Sequence, residues 1–585
     1  MRFSKGRLRS GVTATVLSAT TGLSATAGLF ATLLAIIAPF AGAQSRGLGA
    51  IKIEDMKFHM QFLAAREFQG RSAPSVELDI ASRYIALVAQ RIGLQPIMPD
   101  GSYYQNVPVE ISTLSPAKSY LRLIGASGER KFYFPQAFTT SIRTGGPWAV
   151  AADLVFLGTA LKAEELEGID LRGKLAIVLE VPPPPPADPV AARASGAPAQ
   201  TMAGQAARTR LLREKGAAGM ITVISRVREE NLAKKGLVFD LAERTRFLDV
   251  DTANPTPPPA APQAGGQAPA PASGQTPPVM ATFYTVDVRH ETGAALLGVS
   301  DAELAAMFDA AVQQNVLAPK ALPSASVEIA VFFNVRTTKT LNVVAYLPGS
   351  DAKLKDEYVT VSSHHDHVPM REGRIFPGAD DNISGGVAMF AIAKAMMVER
   401  PKRSVIFVWN TAEEKGLIGS YYFVQHCPVP AEKISANLNL DMVSRNDPNS
   451  LYLIGSNKLS TEFDKSLQEM NAKYVGFKLD YKYEDPGEPS QFFFRSDQYP
   501  YIRYGIPGVW LFSGTTEDYH QETDLVERVD YQKLLKTTKL AYAAAVDIGN
   551  KAALCKLDVR PEVTTRGKHN MKVAWRRPPQ PPAKR

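Results

Sequence analysis

The sequence predicts an α/β fold: a mostly parallel, twisted sheet with helices on both faces, into which a smaller β-rich α/β domain is inserted. From about Val327 onward, near-continuously apolar strands alternate with helices, as is typical of a parallel sheet covered on both sides. From about Pro135 to Ser326, shorter apolar strands accompany one helix. The length of 585 residues exceeds what one hydrophobic core normally serves, so several domains are expected.

The segment before the insertion is predicted to hold two helices and two strands. Residues 51–95 show apolar side chains at helical spacing on either side of the loop "EFQGRSAPS", and the second helix is expected to end at Gly93. "NVPVEISTL" and "SYLRLIG" alternate apolar and polar side chains, which predicts strands.

The inserted domain is predicted to contain the strands "ADLVFLG", "GKLAIVLEV" and "AAGMITVIS", with the helix "TMAGQAARTRLLREKG" between two of them. Two Pro-rich stretches, 181–189 and 254–278, interrupt it. Neither can bury a core, so both are expected to be disordered insertions at the surface.

The region after Val327 is predicted to supply the large sheet. Its strands are "LNVVAYLPG", "EYVTVSS", "SVIFVWN", "ISANLNL" and "GIPGVWLFSG". Its helices are "ISGGVAMFAIAKAMMVE", "LIGSYYFVQH" and "YQKLLKTTKLAYAAAVDIG".

The positive charge of the chain is concentrated at its two ends. The formal charge is +8, of which the first nine residues carry +4 and residues 556–585 carry +7, so the body between them carries −3. A slightly acidic body argues against a nucleic-acid partner. We interpret 556–585 as a flexible, solvated, Pro-rich tail, with a wall, membrane or partner contact as alternatives.

Residues 1–43 are predicted to be a signal peptide. Basic residues precede an uncharged stretch whose most apolar part is "GLFATLLAIIAPF", and Ala41 and Ala43 stand at the −3 and −1 places of a signal-peptidase site. An uncleaved anchor is the alternative, because the uncharged run is long enough to span a bilayer. Cleavage after Ala43 predicts a periplasmic or secreted protein without stable membrane insertion. In that setting Cys427 and Cys555 are free or bonded to each other.

Histidines and carboxylates follow four successive strands of the large sheet. They are His364, His365, Asp366 and His367, with Asp380 and Asp381 downstream, then Glu413 and Glu414, then Asp441, then His520. Reactive groups in open α/β sheets lie beyond the carboxyl ends of the strands, so these side chains are expected to converge. Crowded carboxylates repel one another unless a cation lies between them, which predicts a metal site.

The number of donors suits two metal ions. It exceeds the three protein ligands of one catalytic zinc ion and fits a pair that shares a bridging carboxylate and a bridging water. In the doublet Glu413-Glu414, one carboxylate can bind metal while its neighbour takes a proton from that water. The spacing alone leaves open which of the three adjacent histidines is a ligand.

Five motifs, in order, carry a family resemblance: "SHHDHV", "GADDNISGG", "NTAEEKGLIGS", "LNLDMVSR" and "DYHQETD". Together they closely resemble the co-catalytic double-zinc aminopeptidase family, whose wider relatives include glutamate carboxypeptidase-like enzymes, glutaminyl cyclases and the transferrin receptor ectodomain. The resemblance implies a zinc-exopeptidase-like fold, with a peptidase domain formed by 44–134 and 327–555. The insertion, 135–326, resembles a protease-associated domain.

The resemblance also implies a metal ligand set. Two zinc ions would be held by His364 with Asp441, and by Glu414 with His520, while Asp380 would bridge them. His365 and His367 are then expected to be neighbours and not ligands.

The remaining roles follow from the same resemblance. Asp366 would fix the imidazole of His364, Glu413 would be the general base, and Tyr519 would stabilise the oxyanion. Gln498 stands where family members often have histidine, which predicts altered substrate contacts.

The activity so implied is that of an aminopeptidase, which would release N-terminal residues from peptide substrates through a metal-bridged hydroxide. The aromatic stretch "SQFFFRSDQYPY" either lines a hydrophobic pocket or packs in the core, and we favour packing. A carboxypeptidase or dipeptidase is the first alternative, with Arg495 or Arg503 binding a substrate carboxylate. A glutaminyl cyclase fits less well, because that group is implied to use one metal. A receptor-like binding protein would have no use for the base Glu413.

Overall fold

The fold is seen in a computed structural model of the chain. The structure describes residues 46–125, 128–140, 147–160, 163–180, 200–234, 244–247, 283–313, 317, 319–371, 373–485, 488, 490–561, 565–566, 569–570 and 573–577. The predicted signal peptide and both Pro-rich insertions lie outside these residues.

Eleven helices are introduced here in chain order. They are α1 (Ile53–Leu63), α2 (Val76–Ile92), α3 (Gln200–Glu214), α4 (Arg226–Lys234), α5 (His290–Leu297), α6 (Asp301–Val312), α7 (Gly385–Val398), α8 (Ile418–Gln425), α9 (Thr461–Tyr474), α10 (Gln498–Arg503) and α11 (Tyr531–Asn550).

The strands of the two large sheets and of one short hairpin complete the described structure. They are β1 (Gln95–Pro96), β2 (Tyr104–Leu114), β3 (Tyr120–Gly125), β4 (Gly128–Tyr133), β5 (Phe138–Thr139), β6 (Trp148–Phe156), β7 (Leu175–Leu179), β8 (Gly219–Val223), β9 (Arg244–Phe247), β10 (Tyr284–Val288), β11 (Lys320–Val331), β12 (Phe333–Leu347), β13 (Tyr358–His364), β14 (Ser404–Asn410), β15 (Ile434–Leu440), β16 (Ser450–Ile454), β17 (Lys478–Asp480), β18 (Gly508–Phe512), β19 (Thr565–Arg566) and β20 (His569–Asn570).

The first sheet contains the predicted parallel strands at its centre. Its order is β17-β16-β18-β15-β13-β14-β12-β2-β9, with β1 paired to β12. Strands β14, β13, β15 and β18 run parallel to one another, and the strands beside them, β12 and β16, pair antiparallel. The α/β class is therefore confirmed, while the parallel strands are confined to the centre and to the β16–β17 edge pair.

Both faces of this sheet are covered by helices. Val405, Phe407 and Trp409 belong to one core with α1, α2, α7, α9 and α11, whereas Ile406 and Val408 belong to another with α8 and α10. This alternation follows from the period of two along a strand, and β14 is apolar from Val405 to Trp409 because both of its faces are buried.

The second sheet has the order β4-β3-β11-β6-β7-β8-β10-β5. It begins earlier in the chain than the predicted boundary at 135, because Tyr120–Gly125 and Gly128–Tyr133 pair within it. Strand β9, from the middle of the insertion, pairs with β2 of the first sheet. The insertion is therefore joined to the first sheet by backbone hydrogen bonds as well as by its two ends.

Part of the C-terminal tail is packed, contrary to the prediction of a solvated end. The backbone N–H of Ala574 donates to the carbonyl of Arg503 at 2.8 Å, and Arg577 donates to the carbonyl of Cys555 at 3.2 Å. The guanidinium of Arg576 lies 5.0 Å from the ring centre of Tyr504.

Two further findings concern the predicted exported state. Cys427 and Cys555 are both free thiols. Among the residues described here, no helix is both long enough and apolar enough to cross a membrane.

Candidate metal centre

The parallel strands deliver the predicted side chains to one edge of the first sheet. His364 is the last residue of β13, Asp441 follows β15 directly, and Glu413 follows β14 by three residues. Because β14, β13 and β15 are neighbours with the same direction, their carboxyl ends meet. All three side chains are almost fully buried.

Seven side chains form two groups of potential metal donors. The first donor group consists of His364, Glu413 and Asp441, and the second donor group consists of His367, Asp381, Glu414 and His520. Within each group the donor atoms all lie within 4.8 Å of one another.

Asp381 reaches both donor groups with its two carboxylate oxygens. Its Oδ1 lies 3.4 Å from Nε2 of His364, and its Oδ2 lies 3.2 Å from Nε2 of His520. A carboxylate so placed can bridge two ions.

Asp380, the predicted bridging ligand, belongs to neither donor group. Its Oδ1 accepts hydrogen bonds from the backbone N–H of Ser444 at 2.9 Å and from the Ser444 hydroxyl at 2.5 Å. The two aspartates are adjacent in "GADDN", and the motif alone gave no means of telling which one faces the histidines.

His364 is oriented for binding through Nε2. Its Nδ1 donates to the backbone carbonyl of Asp366 at 3.0 Å, while Nε2 lies 3.4 Å from Oδ1 of Asp441. The Asp366 carboxylate is farther from Nδ1, at 3.7 Å, and instead accepts from the backbone N–H groups of Glu413 at 3.0 Å and Glu414 at 3.4 Å. The carboxylate of Asp366 thus holds the backbone of Glu413 and Glu414, and its backbone carbonyl holds the imidazole of His364.

His365 lies beside the donor groups and belongs to neither of them. Nδ1 donates to the carbonyl of Asn410 at 2.7 Å, and Nε2 accepts from the Ser82 hydroxyl at 2.8 Å. Burial lowers the pKa of His365 to about 3, so the ring is neutral. Both nitrogens are engaged away from the donor groups.

His367 was also expected to be a neighbour, but the structure brings it into the second donor group. Its Nδ1 lies 2.9 Å from Oε1 of Glu414 and 3.7 Å from Oδ2 of Asp381. Gly378 makes room for the ring, since a Cβ there would lie 2.7 Å from Cγ of His367, and its positive φ of 61° favours glycine as well.

The electrostatics separate the two glutamates. Burial, reinforced by the negative charges of Glu414 and Asp441, raises the pKa of Glu413 well above its usual range. Burial opposes ionisation of Glu414 too, but His520 and His367 outweigh it and lower the pKa of that carboxyl. Burial alone would lower the pKa of His520, but the carboxylates of Glu414 and Asp381 outweigh it and raise this pKa to about 10.

The residues present fit a divalent metal ion. Oδ1 of Asp441 and Nε2 of His520 are buried and have no hydrogen-bond partner among the described residues, although both point at charged neighbours. Four carboxylates and three imidazoles are the donor types that zinc takes in proteins.

The segment 495–498 lies against the site. The Ser496 hydroxyl donates to Oδ2 of Asp441 at 2.5 Å, and the guanidinium of Arg495 donates to the phenol oxygen of Tyr519 at 2.9 Å. Tyr519 in turn stacks on His520, with ring centres 3.9 Å apart.

Other side chains near this segment are structural. Gln498 is fully buried and donates to the carbonyl of Phe493 at 3.0 Å, so altered substrate contacts at this position are not supported. Phe492–Phe494 are buried in the core, as favoured for the aromatic stretch. Arg503 is buried and donates to the hydroxyl of Tyr421 at 3.1 Å.

Two buried charged residues missed in the sequence hold the donor loops. Arg71 donates to the carbonyls of Leu63 at 2.9 Å, His365 at 3.1 Å, Pro377 at 2.7 Å and Gly378 at 3.2 Å. Asp524 accepts from the backbone N–H groups of Asp380 and Asp381 at 3.0 Å. Arg71 contacts residues about 300 positions away, which no local pattern signals, whereas Asp524 is the last residue of the motif "DYHQETD".

Helices cover both faces of the first sheet, and at its carboxyl edge Asp381 links the two donor groups. Residues 342–545 match the model of Peptidase family M28. The matched segment contains all seven donors.

Individual relatives match shorter parts of their own chains, at 28% and 33% identity. The chain is 28% identical over 255 residues to leucine aminopeptidase 2 of Arthroderma otae. The aligned segment covers 38% of this chain and 48% of that protein. It is 33% identical over 176 residues to leupeptin-inactivating enzyme 1 of Streptomyces exfoliatus, covering 30% of this chain and 36% of that protein. The matched part therefore spans less than half the length of either relative.

Among solved structures, the chain is similar to an aminopeptidase from Aneurinibacillus sp. strain AM-1. The TM-score is 0.48 at 19% identity, over 89% of this chain and 100% of the other.

Proposed function

We propose that the protein is an exported exopeptidase with two zinc ions, and that it acts as an aminopeptidase on peptides. The observation that carries this proposal is the position of Asp381, whose two oxygens reach separate donor groups, with Glu413 in one group and Glu414 in the other. The similarity to a leucine aminopeptidase supports the choice of activity.

The ligand set of the proposal differs from the one expected from the motifs by a single residue. His364 and Asp441 would hold one ion, Glu414 and His520 the other, and Asp381 would bind both. When bound, zinc ions polarise a carbonyl and lower the pKa of water, so that a nucleophile exists at neutral pH.

The remaining residues act on protons and charge. Glu413 lies in the first donor group with Oε2 3.9 Å from Nε2 of His364, where its carboxylate can take a proton from the attacking water and return it to the leaving amine. Tyr519, stacked on His520, is placed to donate its hydroxyl to the carbonyl oxygen as negative charge develops there.

One observation favours a second candidate, a carboxypeptidase or dipeptidase. Arg495 is partly exposed beside Tyr519, where a guanidinium could bind a substrate carboxylate. Arg503, the other candidate cation, is buried against Tyr421 and is no longer a candidate.

The deciding experiment measures the metal content of the purified mature chain together with hydrolysis of a substrate panel. Two zinc ions with cleavage of free-amino substrates only, such as leucine p-nitroanilide, are expected. Two zinc ions with cleavage only of N-blocked peptides that carry a free carboxylate would move the assignment to a carboxypeptidase. No metal and no turnover after zinc addition would leave a binding protein.

Export and the nature of the inserted domain are further parts of the proposal. The signal-peptide pattern of residues 1–43 supports export, and Edman sequencing of the mature protein is expected to begin at Gln44. The second sheet, with helices on both of its faces, is consistent with a protease-associated domain.

A further inference from the structure

Arg495 occupies a fixed position between the core and the second donor group. It follows the buried turn Phe492–Phe494, and its guanidinium lies 4.8 Å from the ring centre of Phe492. The same guanidinium donates to the phenol oxygen of Tyr519 at 2.9 Å. The stacking of the arginine on a buried ring restricts the directions in which it can donate.

The direction of this hydrogen bond follows from the chemistry of the two groups. A guanidinium has only N–H donors, so the phenol oxygen must be the acceptor. The hydroxyl hydrogen of Tyr519 therefore points away from Arg495 and remains available to another acceptor. Accepting a charge-assisted bond also withdraws electron density from the phenol, which makes its O–H a stronger donor.

Tyr519 lies beside the second donor group. The tyrosine ring stacks on His520, whose Nε2 lies 3.0 Å from Oε1 of Glu414 and 3.2 Å from Oδ2 of Asp381. The ring of Tyr519 thus contacts the second donor group through His520, while its phenol oxygen accepts the hydrogen bond from Arg495.

We propose that Arg495 is a positioning residue that commits the hydroxyl of Tyr519 to the oxyanion of the substrate. It acts on the reaction through the phenol and does not itself bind substrate. This inference rests on the proposed function, in which a peptide carbonyl reacts beside the second donor group.

The test is a double-mutant cycle on kcat and KM. The variants are Arg495→Met, Tyr519→Phe and the double variant, with Arg495→Lys as the conservative replacement. Arg130→Met is the matched control, because Arg130 lies 4.7 Å from the ring centre of Phe132 in the second sheet, remote from the donor groups in sequence and sheet. Leucine p-nitroanilide, which has no carboxylate, and the dipeptide Leu-Gly are the substrates.

Loss of one oxyanion donor typically costs about 10²–10³-fold in kcat, and Tyr519→Phe is expected in that range. Arg495→Met is expected to lower kcat about tenfold or more on both substrates with KM little changed, and Arg495→Lys to recover part of the loss. In the Tyr519→Phe background, Arg495→Met should have almost no further effect, because its only route to the reaction is already removed. Arg130→Met should match the wild type.

A second readout does not depend on turnover. Leucine boronic acid, which forms a tetrahedral oxyanion, should bind more weakly to Arg495→Met than to the wild type by calorimetry, and this difference should vanish in the Tyr519→Phe background. Zinc content should be unchanged in all variants.

Two results would overturn the inference. One is that the losses in kcat caused by Arg495→Met and by Tyr519→Phe multiply in the double variant, as they would for independent residues. The other is a rise in KM confined to Leu-Gly, which would show that Arg495 binds the substrate carboxylate directly. A wild-type enzyme that cleaves neither substrate refutes the proposed function instead, so the two failures are distinguishable.

Discussion

Glu413 and Glu414 are adjacent in the chain, yet their surroundings favour opposite protonation states. Burial and two negative neighbours raise the pKa of Glu413, whereas the imidazoles of His520 and His367 lower the pKa of Glu414. Two carboxyl groups whose pKa values are pushed apart are typical of a site that uses one as a proton carrier and the other as a ligand.

Glu413→Gln is therefore expected to reduce kcat by about 10²–10⁴-fold, the usual loss for a general base, while zinc content stays at the wild-type value. Metal analysis and steady-state kinetics on the same preparation test both statements. Glu414→Gln is the matched control and should lose zinc as well as activity. Substantial activity in Glu413→Gln would mean that the proton has another acceptor.

Asp381 and Asp380 provide a second pair of neighbours with different expected effects. Asp381→Asn is expected to lower both zinc content and activity, because Asp381 is the carboxylate that reaches both donor groups. Asp380→Asn replaces the carboxylate that accepts from Ser444 with a neutral amide oxygen, which accepts more weakly, and is expected to cost stability while the protein keeps most of its zinc. Metal content of the two purified variants decides between them, and equal loss in both would return Asp380 to the ligand set.

The three adjacent histidines can be separated in the same way. His367→Gln is expected to weaken zinc binding about 10–100-fold, as for residues that ligate or directly orient a ligand, because Nδ1 of His367 faces Glu414. His365→Gln, the control, should keep wild-type zinc affinity, because both of its nitrogens are engaged by Asn410 and Ser82. Competition with a chromophoric chelator measures both affinities, and unchanged affinity in His367→Gln would contradict a role in the second donor group.

At the scale of elements, the donor loops are held by Arg71. Its guanidinium binds carbonyls of the last residue of α1, of the residue after β13 and of the loop before Asp380, and the side chain is fully buried. Burial lowers the pKa of Arg71 only to about 10, so it remains charged at neutral pH.

Arg71→Met is expected to destabilise the fold by about 3–5 kcal/mol, because four buried carbonyls lose a charged donor that nothing replaces. Arg71→Lys should recover only part of this loss, since an ammonium cannot reproduce the planar array of donors. Urea unfolding of the zinc-free proteins measures the difference and keeps metal loss out of the comparison. A loss below about 1 kcal/mol would show that these loops are held by other contacts.

The elements that the sequence predicted are those with a strong local signal. Strands β13, β14 and β15 have runs of apolar residues and are almost entirely buried, and α2 ends at Gly93 with a positive φ of 102°. The pairing of β3 and β4 within the second sheet was missed, because alternation predicts a strand and says nothing about its partner.

The site was predictable to the same degree. Strand ends indicate which residues converge, and the structure brings His364 and Asp441 into the first donor group and Glu414 and His520 into the second. The backbone path through 378–382 decides which aspartate faces the histidines, and that path depends on Arg71 and Asp524, whose contacts are remote in sequence.

At the scale of the whole molecule, the donors tie together segments that are far apart in the chain. The second donor group alone joins residues 367, 381, 414 and 520. A bound ion would therefore link four separate segments of the first sheet, and none of its donors belongs to the second sheet.

Zinc removal is accordingly expected to destabilise the domain of the first sheet and leave the second sheet unaffected. A ligand that binds only the folded state stabilises it by about 2.7 kcal/mol at a concentration of 100 Kd, so the unfolding temperature of this domain should rise with zinc concentration. Calorimetry of the chelated and zinc-loaded protein should show one transition that shifts and one that does not. Asp381→Asn serves as the control, because a chain that lacks the shared carboxylate should show a much smaller shift. A shift of equal size in that variant would locate the stabilising zinc outside the two donor groups.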